Sequence, residues 1–402
     1  MRSTHLPQQL VFGLLGLALA TPVVYLMLGL PLLMRQHGWS GSVIGLFQLA
    51  GLPALFKAFL AVPVDRWRPA RQPYVRWTAL LGAAYVAILL ALSALGLDTP
   101  RPLLFALMLV ASVLATWIDV PVSALAIKML PESERQLAGG IRSAVLFAAA
   151  VLGGGAMLLL TQAQGWSAPF LAMAALLTLA LAALALLREP VDVAPRQPRS
   201  RGPHFAGFFR QSGAWRWAVL LLCYFPFVAT AWIYLKPLLL DQGFPVAQVA
   251  WIAGVGGGSL GIVASLATGC WVRRAMLPRV LPLSAAANCL VLALLATLVW
   301  RDVEAIWVAM AGCLLAMAMG MTSSLAFALM MDFAQQHRQA VDYGIQASLF
   351  ALGRLIVPPV AGLLLDHQGY AAMLLALALA LAALSVVALS ALRPLTSRRE
   401  SA

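Results

Sequence analysis

Apolar runs of about twenty residues or more recur from one end of this chain to the other, each ended by Gly, Pro or a few charged residues. A bilayer-spanning helix needs about 20 predominantly apolar residues. Backbone polar groups in lipid must be satisfied internally, so such runs fold as helices. Twelve runs are read: 9–34, 42–64, 75–96, 102–129, 138–162 and 168–187, then 214–239, 246–270, 278–299, 305–332, 343–365 and 370–392. The expected fold class is an all-α membrane protein with twelve transmembrane helices. Composition agrees: 62% of the 402 residues are apolar and 10% are charged, against about 25% charged in an ordinary soluble domain. A soluble enzyme, a disordered chain and a disulfide scaffold are excluded.

The net charge of +13 does not point to nucleic acid, because the cations form short clusters between apolar runs and not one basic face. The clusters alternate. Even-numbered connections and the tail carry Arg66, Arg68, Arg71, Arg76, Arg135, Arg142, Arg273, Arg274, Arg279, Arg338, Arg393, Arg398 and Arg399. Odd-numbered connections carry only Arg35, Arg101 and Arg301. The positive-inside rule then puts both termini in the cytoplasm, which an even number of spans requires. Ala18-Leu19-Ala20 resembles a cleavage site, but the apolar run continues to Leu33, so a retained first helix is expected. The scarcity of Lys beside abundant Arg, Ala and Leu suggests a GC-rich bacterial genome, hence a multi-pass protein of a bacterial inner membrane.

Residues 188–213 are rich in Pro and Arg and lack apolar periodicity. They read as a cytoplasmic linker between two six-helix bundles, 1–187 and 214–402. Phe205, Phe208 and Phe209 suggest a short helix at the membrane interface.

Charge inside a membrane is expensive and needs a reason. At about 1.5 Å per residue, Lys57 lies about 12 Å in, Asp119 about 15 Å and Arg354 about 16 Å. Such similar depths fit a shared water-filled cavity. The alternative is a structural ion pair, Lys57 with Asp119, fixing the second span against the fourth. Asp119 is the only deep acid, and so the natural carrier if transport is coupled to protons; Lys57 and Arg354 would offer positive charge to an anionic solute. Lys236, beside Trp232 and Tyr234, is either an outer rim or a snorkelling side chain. Lys128 and Asp332 lie at helix ends, where they can snorkel or meet water.

Other patterns invite discounting. Gly257-Gly258-Ser259-Leu260-Gly261 fits a nucleophile elbow, and Gly256, Gly258 and Gly261 fit a dinucleotide motif, but both lie inside an apolar run without the strand–turn–helix context. Close helix packing explains them, through Gly254 to Gly258 and Gly257 to Gly261. With Gly153-Gly154-Gly155 they suggest that the fifth and eighth helices meet there. Pro22, Pro31, Pro53, Pro63, Pro121, Pro226, Pro358 and Pro359 permit kinks. Cys223, Cys270, Cys289 and Cys313 show no metal or disulfide spacing, and His5, His37, His204, His337 and His367 fall in loops or tails. No nucleophile, base or metal set converges, so no enzyme, metal or organic cofactor is expected.

Lys57-Ala58-Phe59-Leu60-Ala61-Val62-Pro63-Val64-Asp65-Arg66-Trp67 resembles the signature of the AmpG-like branch of the major facilitator superfamily, which includes muropeptide permeases and siderophore importers. The first hairpin, with Gly29, Leu30 and Pro31, is similar too, as are Asp119 to Ala126 with Leu130-Pro131-Glu132-Ser133-Glu134-Arg135, and Met331-Asp332 followed by Asp342-Tyr343-Gly344-Ile345-Gln346-Ala347-Ser348. The position four after Asp119, usually acidic in the branch, is Ser123; Ala61 and Ile118 also depart from its pattern. The resemblance implies two six-helix bundles, alternating access and a cavity lined by helices 1, 2, 4, 7, 10 and 11.

Coupling or cavity residues are then expected at Asp119, Lys57, Arg354, Gln346, Ser123, Trp232, Tyr234 and Lys236, and a conformational lock at Asp65, Arg66, Asp332 and Asp342. Asp65 would face the N-terminus of the eleventh helix, where negative charge is favoured. The expected function is proton-coupled import of a siderophore or its metal chelate, by a monomer. Chain length and the LP-x-x-E-R and D-Y-x-x-Q stretches favour that over the alternatives, a muropeptide permease or another amphipathic-solute or drug transporter.

Overall fold

A computed structural model describes residues 5–67, 72–96, 98–190, 205–335 and 338–391. Among them all regular secondary structure is helical. Arg68, Arg71, Arg393, Arg398, Arg399, His204, His337 and residues 191–204 of the expected linker lie outside the described residues.

The helices are α1 (6–36), α2 (41–66), α3 (Pro73–Ser93), α4 (Arg101–Met129), α5 (135–164) and α6 (Ser167–Leu184), then α7 (214–241), α8 (246–271), α9 (Leu277–Trp300) and α10 (Ala305–Asp332). A last helical stretch runs Gln339–Ala391. Its apolar part, Gln339–Ser385, has 47 residues and would be about 70 Å long if straight, more than twice the hydrocarbon thickness of about 30 Å. It bends at Gly369, whose φ of 81° belongs to the left-handed region. Two helices result, α11 (339–368) and α12 (370–391), so the chain crosses twelve times as the apolar runs require. Large side chains such as Leu80, Leu179, Trp251, Leu290 and Val360 are exposed, as lipid-facing surfaces demand and water-facing ones forbid.

Several helices are irregular where the chain carries proline or glycine. α2 narrows to a 3₁₀ stretch over Leu49–Phe56, around Pro53, before resuming at Lys57. π-helical turns occupy Tyr25–Gly29 in α1, Leu152–Ala156 in α5, Leu220–Tyr224 in α7 and Ala250–Gly256 in α8. Pro226 has no N–H to give the Leu222 carbonyl one turn before it. Gly353 of α11 sits against that freed carbonyl, where a Cβ would lie 2.1 Å from the oxygen.

The chain forms two compact units. The first contains residues 1–134, 148–203 and 334–348; the second contains 135–147, 204–333 and 349–402. Each unit thus takes a short helical segment from the other half of the sequence. In the first unit α3 packs on α4 and α6, α1 on α4 and α6, and α2 on α4. In the second α10 is central, packing on α7, α8 and α9. The last turns of both central helices are buried on every side, Val120–Ile127 in α4 and 324–331 in α10, which fits their all-round apolar composition.

The expected linker differs at both ends. Glu189 is buried and belongs to the first unit. Ala206–Phe209 forms a helical turn, but Phe208 is buried, so that ring does not lie on a membrane surface.

The expected glycine pairing of α5 and α8 is corrected in part: Gly261 does meet α5, where a Cβ would lie 2.4 Å from the Phe147 ring, but Gly153 does not face α8. Gly153 packs on α1, where a Cβ would lie 2.5 Å from Thr21 O, while Gly257 receives the Trp232 ring. α5 and α8 meet instead at Gly140 and Gly269: a Cβ on Gly140 would stand 2.8 Å from Gly269 Cα and 2.7 Å from Ser265 O. Ser143 and Ser265 share a 2.8 Å hydroxyl hydrogen bond there, and Ser265 also donates to Gly320 O of α10 at 3.1 Å. Close approach needs small residues at one level on both helices, and Gly261, Ser265 and Gly269 supply it at four-residue spacing.

Candidate functional site

α2 and α4 hold two of the three charges expected deep in the membrane, Lys57 and Asp119. Lys57 Nζ bonds Asp119 Oδ2 in an ion pair whose side chains keep only 12% and 15% of their surface exposed. Each charge alone would be costly in such a place, and pairing offsets that cost. Lys57 is the first residue of the resumed α-helix in α2. Its ammonium also lies 5.4 Å from the centroid of the Tyr343 ring of α11, within cation–π range. Ser123 is one turn on from Asp119, buried, with its Oγ lacking a hydrogen-bond partner.

The start of α11 lies along α2 through one face of each helix. Gly344 allows the contact: a Cβ there would stand 3.0 Å from Lys57 O and Ala61 Cβ and 3.1 Å from Ala58 Cα. Ser348 Oγ accepts the Ala58 N–H at 3.0 Å. That donor is available because the 3₁₀ stretch before it breaks the regular ladder. At the other end Asp65 uses both oxygens: Oδ2 accepts the Val341 N–H at 2.9 Å and Oδ1 accepts the Tyr74 hydroxyl at 2.8 Å. Val341 is in the first turn of α11, so Asp65 caps that helix from outside its own chain segment, where its negative charge meets the positive helix end. Asp342 is fully buried; its Oδ2 accepts the Gln335 N–H at 3.1 Å and its Oδ1 has no hydrogen-bond partner. Gln346, also buried, donates to Asp342 O at 3.1 Å.

The expected set therefore divides. Lys57, Asp119, Ser123, Gln346, Asp65 and Asp342 lie in the first unit, joined by α2, α4 and the start of α11. Arg66, at the end of α2, is exposed. Trp232, Tyr234, Lys236, Arg354 and Asp332 lie in the second unit. Trp232 packs on Gly257, Tyr234 donates its hydroxyl to Pro358 O at 2.9 Å, Lys236 is exposed, and the Arg354 guanidinium lies 5.9 Å from the Phe350 ring centroid.

Two side chains expected to snorkel do not. Asp332 pairs with Arg135 at 2.9 Å, and its side chain is 2% exposed. Lys128 pairs with Glu189 at 2.9 Å. The reason is an acid that follows α6: Glu189 also accepts the Tyr74 N–H at 2.9 Å and the Val75 N–H at 3.3 Å, capping α3 with a charge that suits its N-terminus. Sequence reasoning missed Glu189 because it sits in a Pro-rich stretch and Tyr74 because it looks like an ordinary aromatic; Arg135 is read as topological charge and as part of a motif, but neither reading names Asp332 as its partner. Glu189, 115 residues on from Tyr74, is a long-range cap that no local spacing announces.

A family model described as Major Facilitator Superfamily matches residues 10–358. The chain belongs to the major facilitator superfamily. It is a transporter with that family's fold. The anhydromuropeptide permease of Escherichia coli K12 is 27% identical over 384 residues, covering 92% of this chain and 77% of the relative. Among solved structures, the E. coli fucose:proton symporter matches with a TM-score of 0.75 at 14% identity, over 97% of this chain and 99% of the other. A bacterial homologue of the iron transporter ferroportin in an outward-facing state matches with a TM-score of 0.71 at 15% identity, over 96% and 98%. At these identities the two structures speak for the fold alone. The muropeptide is the solute named for that curated relative, and the expected siderophore import has no specific support from these relatives.

Proposed function

We propose that this chain is a bacterial inner-membrane secondary transporter that imports a muropeptide, a peptidoglycan fragment, together with protons. Both termini are cytoplasmic in this reading. The observation that carries it is the Lys57–Asp119 pair, enclosed in a membrane protein and touching α11 through Tyr343. The 27% identity to an anhydromuropeptide permease over most of the chain supports the solute class.

A proton taken by the Asp119 carboxylate gives a neutral acid and leaves Lys57 without its counter-charge. Lys57 then favours a new partner, and its contact with α11 changes. Because Asp65 and Ser348 hold the same stretch of α11 on α2, such a change bears directly on the latch. Protonation is thereby tied to whether the start of α11 stays docked. An anionic group on the solute would suit the released ammonium.

Cells carrying only this permease test the proposal. Labelled anhydromuropeptide should accumulate, and a protonophore should abolish the accumulation. Uptake of a labelled ferric siderophore in its place would keep the transporter and discard the solute.

A further inference from the structure

Two of the three arginines in the odd-numbered connections, Arg35 and Arg101, converge on one residue. The Arg101 guanidinium lies 4.9 Å from the centroid of the Trp39 ring, and Arg35 donates to Trp39 O at 3.4 Å. Trp39 is 6% exposed and so acts as a pedestal, not as a stacking surface for a ligand. Its ring is fixed edge-on to Phe47 at 5.3 Å, and Phe47 edge-on to Phe105 at 5.5 Å. Both arginines are exposed, and neither has a carboxylate partner among the described residues.

Three costs attach to Arg101. It is the first residue of α4, where a positive charge opposes the helix dipole. In the proposed topology it faces away from the cytoplasm, where cations are depleted. Its guanidinium has five N–H donors and a ring contact, but no acid to complete it. A carboxylate bound there would relieve all three: it would neutralise the charge, accept a paired guanidinium hydrogen bond and sit favourably at the α4 N-terminus.

We propose that Arg101, seated on the Trp39 ring, with Arg35 held on the Trp39 carbonyl, forms an outer recognition site for a carboxylate of the arriving solute. This rests on the reading above for topology and for a peptide-bearing solute. The site is separate in sequence and in place on the helices from Lys57 and Asp119, which lie toward the other end of α2 and α4. A phosphate of an anionic lipid has the same chemistry, and the experiment separates the two.

The full-length protein in phosphatidylcholine nanodiscs is titrated with a BODIPY-labelled Glu-Glu dipeptide and with the same dipeptide amidated at its carboxylates. Wild type should bind the acid at least tenfold more tightly than the amide. Arg101→Gln should erase that difference, Arg35→Gln should reduce it severalfold, and Arg101→Lys should keep part of it. These are ratios within each variant, so a general loss of fold does not imitate them. In uptake assays Arg101→Gln should raise KM for the muropeptide about tenfold and leave kcat within twofold. Equal binding of acid and amide by wild type, or an unchanged ratio in Arg101→Gln, overturns the site. Disappearance of the ratio when phosphatidylglycerol replaces phosphatidylcholine assigns the arginines to lipid and also overturns it. If the dipeptide ratio behaves as expected and no muropeptide is taken up, the carboxylate site stands and the proposed solute fails.

Discussion

The Lys57–Asp119 pair is held together by what each charge would cost alone. Removing one partner of a buried pair leaves the other uncompensated, at about 3–5 kcal/mol. Lys57→Ala should therefore lower the thermal unfolding temperature in detergent measurably, and Asp119→Ala should do the same. Asp119→Asn keeps the shape and much of the hydrogen bonding but cannot cycle a proton. It should abolish accumulation and leave solute exchange measurable. Exchanging the two residues separates the readings. A purely structural pair predicts that the double variant Lys57→Asp with Asp119→Lys regains both expression and accumulation. The coupling account predicts that expression returns while proton-driven accumulation does not. Asp65 belongs to the same scale. Its two oxygens accept from Val341 N–H and the Tyr74 hydroxyl, so Asp65→Ala removes both bonds and a charge from a helix end. Charge-assisted bonds contribute about 1.5–3 kcal/mol each. Even one such loss shifts a two-state balance about tenfold or more. Tyr74→Phe removes a hydroxyl shared between Asp65 Oδ1 and Gln339 Oε1 but leaves the Asp65 cap on α11, and should slow transport less than Asp65→Ala, as measured by initial uptake rates.

At the scale of elements, the contacts that matter are where helix backbones touch. The α5–α8 crossing at Gly140 and Gly269 has backbone, not flexible side chain, on both sides. Gly140→Val should thus cost about 1–3 kcal/mol, as overpacking does, read as a lower unfolding temperature. Ser143→Ala removes the 2.8 Å bond to Ser265 and a longer 3.4 Å contact to Gly320 O, and should cost about 1 kcal/mol. The outlines of these elements were legible in the sequence: apolar length gave twelve crossings, and the Asp65 cap on the eleventh helix followed from the resemblance together with the helix dipole. The close approaches were not. Gly153 and Gly257 looked equivalent to Gly140 and Gly269 in the sequence, since a glycine shows only that a backbone can come near and not which backbone does. Glu189 shows the same limit for charge. Its partners, Lys128 and the first turn of α3, are 61 and about 115 residues away in the chain, and nothing local in a Pro-rich stretch announces them. The D-Y-G-I-Q-A-S run was visible as a motif, but its content came from geometry: Tyr343 under Lys57, Gly344 on the α2 backbone and Ser348 on the Ala58 N–H.

At the scale of the whole molecule, the claim is that one carboxylate links solute movement to proton movement. Chain length favoured a siderophore importer, a preference that the curated relative does not support. The curated relative is longer than this chain, yet 92% of this chain aligns with it. The decisive measurement uses purified protein in liposomes with a pH-sensitive dye inside. Adding anhydromuropeptide outside should acidify the interior of wild-type vesicles. Asp119→Asn vesicles should show no acidification while still exchanging labelled for unlabelled solute. Solute accumulation without proton flux in wild type, or equal acidification by the Asp119→Asn protein, would contradict the account.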